Sequence, residues 1–217
     1  MSSRRIHTVS RIAVSAAALL AASQAYAHGA TPGTHAFLSG LLHPLTALEH
    51  ILPLVAIGML AGQRGLVAGQ GLLVAFPLAF AAGALLGVAA GPELPAVNAV
   101  TAIVAGGLVA LALGLPRALL YAIVVAVGAI HGLSNGTAIG QALTPFIAGA
   151  TLASTLVFAY AFGATHYALK WTTTTWMPVV VRAMGSWIAA FGILTLALAF
   201  MPSPLPPGAT ALLALIV

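Results

Sequence analysis

Polar positions are scarce along this chain, and they cluster in short segments that separate long apolar runs. Crossing a bilayer takes roughly 20 predominantly apolar residues in a helix. Runs of that kind extend from about His35 to Gln63, Leu66 to Ala90, Ala96 to Leu115, Ala118 to Ile139, Pro145 to Leu169 and Val179 to Met201. The breaks between them are Arg64-Gly65, Gly91-Pro92-Glu93-Leu94-Pro95, Pro116-Arg117, Gln141 to Thr144 and Lys170 to Pro178, each containing or flanked by proline, glycine or charge. The pattern predicts an all-α, polytopic membrane protein: a bundle of six transmembrane helices in a single membrane domain, with connections too short for an extramembrane unit. Beyond Met201, the prolines at 202, 204, 206 and 207 stop a helix, and the last apolar run before Val217 is too short to span. A short tail is expected there.

The first residues follow a different pattern. Arg4, Arg5 and Arg11 precede an apolar run from Ile12 to Ala22, and Ala25-Tyr26-Ala27 is a small-x-small site. This is the three-part layout of a cleaved secretory signal, and its apolar run is about half the length of a span. Residues 1–27 are therefore expected to be a signal peptide, leaving a membrane domain of residues 28–217 with a free amino group on His28.

Composition agrees with the pattern. Of 217 residues 61% are hydrophobic and 4% charged, against about a quarter charged in soluble domains. With no cysteine, disulfide frameworks, thiolate metal sites, iron–sulfur clusters and cysteine nucleophiles are excluded. The seven Lys and Arg are spread singly, so no basic face exists to neutralise nucleic-acid phosphates. Beyond the signal, Arg64, Arg117, Lys170 and Arg182 fall in or beside the first, third and fifth connections. The positive-inside rule makes those connections cytoplasmic and puts the mature N-terminus outside, which is also what cleavage by an external peptidase requires. Six spans divide into two halves of three that enter from opposite sides, as in inverted-repeat transporters. His43-Pro44-Leu45-Thr46 and His131-Gly132-Leu133-Ser134 share a His-x-Leu-hydroxyl pattern across those halves.

The remaining polar chemistry is six histidines and two glutamates. An ionisable side chain at bilayer depth costs on the order of 3 kcal/mol on insertion scales, so each is a functional candidate. His43 and His50 lie seven positions apart on one face, about 10 Å along a regular helix, too far to share an ion. Pro44 and Pro53 distort that helix, and Pro53 frees the carbonyl of Glu49. On the derived orientation His28 and His35 sit at the outer mouth, His43 and His131 at a similar depth, and Glu49 and His50 nearer the midplane, which traces a path inward. Imidazole suits nickel, zinc, copper(II) and iron. His28, His35, His43, Glu49, His50 and His131 are thus the candidate metal ligands. Ser134 and Thr137 read as packing residues, as does His166 beside Tyr167 and Lys170, and Asn135 stays open.

These residues resemble the HupE/UreJ family, membrane proteins associated with hydrogenase and urease systems and regarded as nickel permeases. A His-Pro-x-x-Gly-x-Asp-His motif reads here as His43-Pro44-Leu45-Thr46-Ala47-Leu48-Glu49-His50, with Ala47 for Gly and Glu49 for Asp. A His-Gly-x-x-His-Gly-x-Glu segment is similar to His131-Gly132-Leu133-Ser134-Asn135-Gly136-Thr137-Ala138, with Asn135 for the second histidine and no acid. The resemblance implies a divergent member: a permease of the bacterial inner membrane carrying a divalent transition metal ion, nickel first and cobalt second. It also implies partners among the lipid bilayer, a second copy of the chain or a metalloenzyme maturation system. Two other readings stay open. One is a haem-binding cytochrome using His50, His131 and His166 as axial ligands; the other is a metal-binding accessory subunit. No phosphate-binding loop, serine-nucleophile motif or His-Glu-x-x-His is present, so the chain is not expected to be an enzyme. Transport would be facilitated diffusion or proton coupling through Glu49.

Overall fold

The computed structural model describes residues 34–90, 95–137, 143–171 and 175–200. Residues 1–27, expected as a signal peptide, His28, Glu93 and the tail after Phe200 lie outside the described residues. Among the described residues eight helices form: α1 Thr34–Thr46, α2 Leu48–Arg64, α3 Leu66–Gly69, α4 Leu72–Ala90, α5 Pro95–Leu111, α6 Arg117–Thr137, α7 Leu143–Trp171 and α8 Met177–Ala199. Among the described residues there is no strand. Four helical stretches are long and apolar enough to cross a bilayer, Leu66–Ala89, Arg117–Gly136, Leu143–Trp171 and Met177–Ala199, and the bent pair α1–α2 makes a fifth if taken as one span. Helix α5 is apolar but has only 17 residues, about 26 Å at 1.5 Å per residue against a hydrocarbon core near 30 Å.

The outer surface of the bundle is apolar. Tyr160, Trp187, Val67 and Phe200 are each at least three-quarters exposed, a surface that suits lipid and not water. A protein with a belt of this kind is a multi-pass membrane protein.

The first predicted run, residues 35 to 63, is not one straight helix. It breaks at Ala47, which is extended (φ −111°, ψ 120°), and the two pieces are bent by 75°. The local cause is a shortage of helical hydrogen bonds. Pro44 has no N–H to donate, and the hydroxyl of Thr46 takes the His43 carbonyl at 3.0 Å. The Ala47 carbonyl then starts the next helix by accepting from the amides of His50 and Ile51. The second run is also interrupted, by a turn at Gln70-Gly71.

Three helix pairings build the bundle: α1 and α2 on α7, α4 on α6, and α5 on α8. Exchanging the first three helical segments (α1–α2, α3–α4, α5) for the last three (α6, α7, α8) leaves this pairing unchanged, as a three-plus-three repeat would. Glycine makes each contact close. A Cβ on Gly83 or Gly87 of α4 would collide with the backbone of Ala129 or Leu133 in α6, and one on Gly132 or Gly136 with the backbone of Phe80 or Ala84 in α4. Gly58 and Gly62 meet the backbone of α7 in the same way, and Gly106 meets that of α8 near Gly185. Lipid tails are as apolar as side chains, so close backbone packing and not hydrophobic burial drives such pairs together. The centre is filled by Leu54, Ile57, Leu60, Phe76, Phe80 and Phe158, all fully buried, with Phe76 stacked on Phe158 at 4.8 Å.

Among the described residues the cations gather at one end. The C-terminal carbonyls of α5 accept from Gln63 Nε2 (Val109, 3.0 Å), Arg182 Nε (Ala110, 2.8 Å) and Arg64 Nη2 (Ala112, 3.5 Å). The two arginines place positive charge at the negative end of the helix dipole, and all three donors bond carbonyls at the end of the helix. Arg117 reaches Tyr121, and the Tyr121 hydroxyl lies against Gly71, which puts it at the same end. Lys170 closes α7, whose His166 ring lies beside Gly65.

Candidate metal centre

The break at Ala47 has its main effect on two histidines. In a straight helix their rings would be separated by about two turns; across the bend, the His43 and His50 ring centroids are 5.5 Å apart. A third imidazole joins them from α6, with His131 edge to face against His50 at 5.8 Å. Two imidazoles on one tetrahedral ion, with metal–nitrogen bonds near 2.1 Å, have ring centres about 5 to 6 Å apart, so both separations fall in that range. Yet among the described residues no three His or acidic side chains are arranged to hold one ion.

Burial differs sharply around the cluster. His131 is fully buried and His50 nearly so, while His43 is half-buried and rests against Phe146. Glu49 stands at the open side with its side chain 46% exposed, its Oε1 3.9 Å from His50 Nε2. Nδ1 of His50, Nδ1 of His131 and Oδ1 of Asn135 are buried without a hydrogen-bond partner. A buried unpaired polar atom costs about 1–3 kcal/mol, so three in one place call for an explanation.

Helix α5 supplies the rest of the site, and this part was not expected from the sequence. Thr101 Oγ1 lies 2.8 Å from His131 Nε2 and donates its own proton to the Asn98 carbonyl at 2.7 Å. Ser134 Oγ donates to Asn98 Oδ1 at 3.0 Å, so Ser134 ties α6 to α5. Asn135 Nδ2 donates to the His131 carbonyl at 2.7 Å. That bond fixes the amide and leaves Oδ1 as the free end. Asn98 and Thr101 sit in a helix of Val, Ala and Leu without an ionisable group, and their only signal in the sequence is that they are polar and three positions apart.

The structure thus brings together His43, His50, His131 and, at the edge, Glu49. His35 is exposed near the start of α1 and takes no part in the cluster. The expectation of successive depths, with His50 below His43 and His131, gives way to a gathering at one level, because the elbow folds His43 back onto His50. His166 is at the basic end, its Nε2 buried and unpartnered, with its ring against Tyr167. It is not placed to pair with His50 or His131 across a porphyrin, and the edge-to-face contact of those two leaves no room for one between them.

A polytopic helical membrane protein with a buried histidine cluster is the class these features define. The family described as "HupE / UreJ protein" matches residues 16–195, and the chain belongs to that family. It is 35% identical over 164 residues to "Protein HupE" of Rhizobium leguminosarum bv. viciae, a match that covers 71% of this chain and 82% of that protein. No solved structure matches.

Proposed function

We propose that this protein is a permease for a divalent transition metal ion, nickel first and cobalt second, and that His43, His50 and His131 form its central binding site. The observation that supports this reading best is the bend at Ala47, which sets two imidazoles 5.5 Å apart and within reach of a third from another helix. The proposed topology places the signal peptide at residues 1–27, six spans, the basic end in the cytoplasm of a bacterium and the mature N-terminus outside. The ion is captured near His28 and His35, drawn past the exposed carboxylate of Glu49, held between the three imidazoles and released toward the basic end.

Nitrogen donors with few charged partners suit a borderline divalent ion more than a hard one such as magnesium. A site whose rings must turn to complete the coordination holds the ion weakly, and weak binding favours passage over storage. The test is uptake of radioactive nickel and cobalt into vesicles containing the wild type or the His43→Ala, His50→Ala and His131→Ala variants. Uptake falls by tenfold or more in each variant if the reading is right. Equal uptake in all four preparations overturns it.

A further inference from the structure

We propose that Thr101 is a positioning residue: it fixes His131 as the Nε2–H tautomer and thereby makes Nδ1 the atom that His131 presents to the transported cation. The inference deepens the permease reading and rests on it.

The argument is a count of protons. A threonine hydroxyl has one proton and two lone pairs. The Thr101 proton is committed to the Asn98 carbonyl, 2.7 Å away and one turn earlier in the same helix. The 2.8 Å contact between Oγ1 and His131 Nε2 therefore has only one workable polarity: Nε2–H donates and the hydroxyl oxygen accepts. A neutral imidazole carries one ring proton, so Nδ1 is left with a bare lone pair. That lone pair has no hydrogen-bond partner, and His131 is fully buried. The pairing also holds the ring in place, because Ser134, one turn along α6, is tied to the Asn98 side chain at 3.0 Å. Two polar links on successive turns lock α6 to α5 in both register and rotation.

A histidine that binds a metal through one nitrogen commonly donates its other N–H to an oxygen acceptor, which sets tautomer and ring angle. Thr101 has that relation to His131, on a helix that carries no ligand of its own among the described residues.

The experiment uses the full-length protein in lipid nanodiscs with 15N-labelled histidine, His131 being assigned by its loss in His131→Gln. Two-bond couplings to the ring carbons' protons report which nitrogen is protonated, and nickel ion alone is then titrated. The wild type is expected to show protonated Nε2 and bare Nδ1, with nickel broadening the His131 signals. Thr101→Val, equal in shape but without an acceptor, mixes the tautomers and weakens nickel affinity by about tenfold or more. Thr101→Ser restores both, a rescue that packing alone does not produce. Protonated Nδ1 in the wild type, or an unchanged tautomer in Thr101→Val, overturns the proposal without touching the permease reading, which uptake decides. A Thr101-dependent tautomer with His131 signals indifferent to nickel overturns the ligand half, and the permease reading loses its buried site with it.

Discussion

His50 and His131 stand at one level of the bundle. Each lies fourteen positions from an arginine at the basic end of its helix, 50 to 64 in α2 and 117 to 131 in α6. At 1.5 Å per residue both are about 21 Å from that end, and their rings meet edge to face with centroids 5.8 Å apart. Two helices that run in opposite directions along the chain therefore deliver one imidazole each to the same point, with the half-buried His43 brought in by the elbow. Between this level and His166 at the basic end the buried centre is apolar, filled by Leu54, Ile57, Leu60 and Phe76.

If His50 and His131 act on one ion, their contributions are not independent. His50→Ala and His131→Ala are each expected to weaken nickel binding at least tenfold, and the double variant is expected to be little worse than the weaker single. Neighbours that share a partner show coupling of about 0.5–3 kcal/mol in such a cycle, whereas independent sites add. Isothermal titration of the four proteins with nickel measures it, and strict additivity would assign the two histidines to separate sites.

The glycines of α6 separate packing from chemistry. Gly132→Ala puts a methyl group into the Phe80 backbone, so it is expected to cost about 1–3 kcal/mol by overpacking and to disturb the neighbouring His131. Gly163→Ala in α7 has open space around its Cβ and is expected to gain up to about 1 kcal/mol from helix propensity alone. Thermal unfolding in detergent gives both signs, and a neutral Gly132→Ala would mean that α4 and α6 are less closely packed than described.

Much of this was legible in the sequence. Apolar runs broken by proline, glycine and arginine mark an all-helical membrane protein, though not the breaks at Ala47 and Gln70-Gly71 that divide the first two runs, and the scarcity of ionisable groups singles out His43, Glu49, His50 and His131. Pro44 and Pro53 announced a distortion but not its position: the break fell between them, at Ala47, because Thr46 consumed a carbonyl the helix needed. Depth is not legible for the same reason, since counting residues along a straight axis fails across a 75° bend. Asn98 and Thr101 do not stand out in the sequence. A threonine and an asparagine in an apolar span are common packing groups, and only the crossing of α5 over α6 reveals what they touch.

Glu49 is half-exposed and 3.9 Å from His50, which suits electrostatic attraction at the mouth more than permanent coordination. Glu49→Gln is expected to raise the nickel concentration for half-maximal uptake by up to about tenfold at low salt while leaving the maximal rate nearly unchanged. Water screens an exposed charge, so the difference should shrink as ionic strength rises and the Debye length falls from about 30 Å at 0.01 M to about 3 Å at 1 M. Uptake kinetics at the two salt concentrations test this. A collapse of the maximal rate, independent of salt, would move Glu49 from capture to the transfer step itself.

Asn135 occupies the position where the resemblance to the family has a second histidine, and its Oδ1 is buried and unpartnered while Nδ2 holds the His131 carbonyl. If that oxygen faces the ion, Asn135→Asp strengthens the site and harms the empty protein. The new carboxylate is buried without a cationic partner and also loses the Nδ2 donor, so the metal-free melting temperature is expected to fall. Nickel then supplies the missing charge, and the rise in melting temperature on adding it should exceed that of the wild type, since stabilisation grows with the ratio of ligand concentration to Kd. Tighter holding slows release, so vesicle uptake should fall even as binding improves. Asn135→Leu, which lacks both oxygen and donor, should lose the nickel-dependent rise. A rise in Asn135→Asp no greater than in the wild type would show that Oδ1 points away from the ion and that three imidazoles, without an oxygen from α6, make up the site.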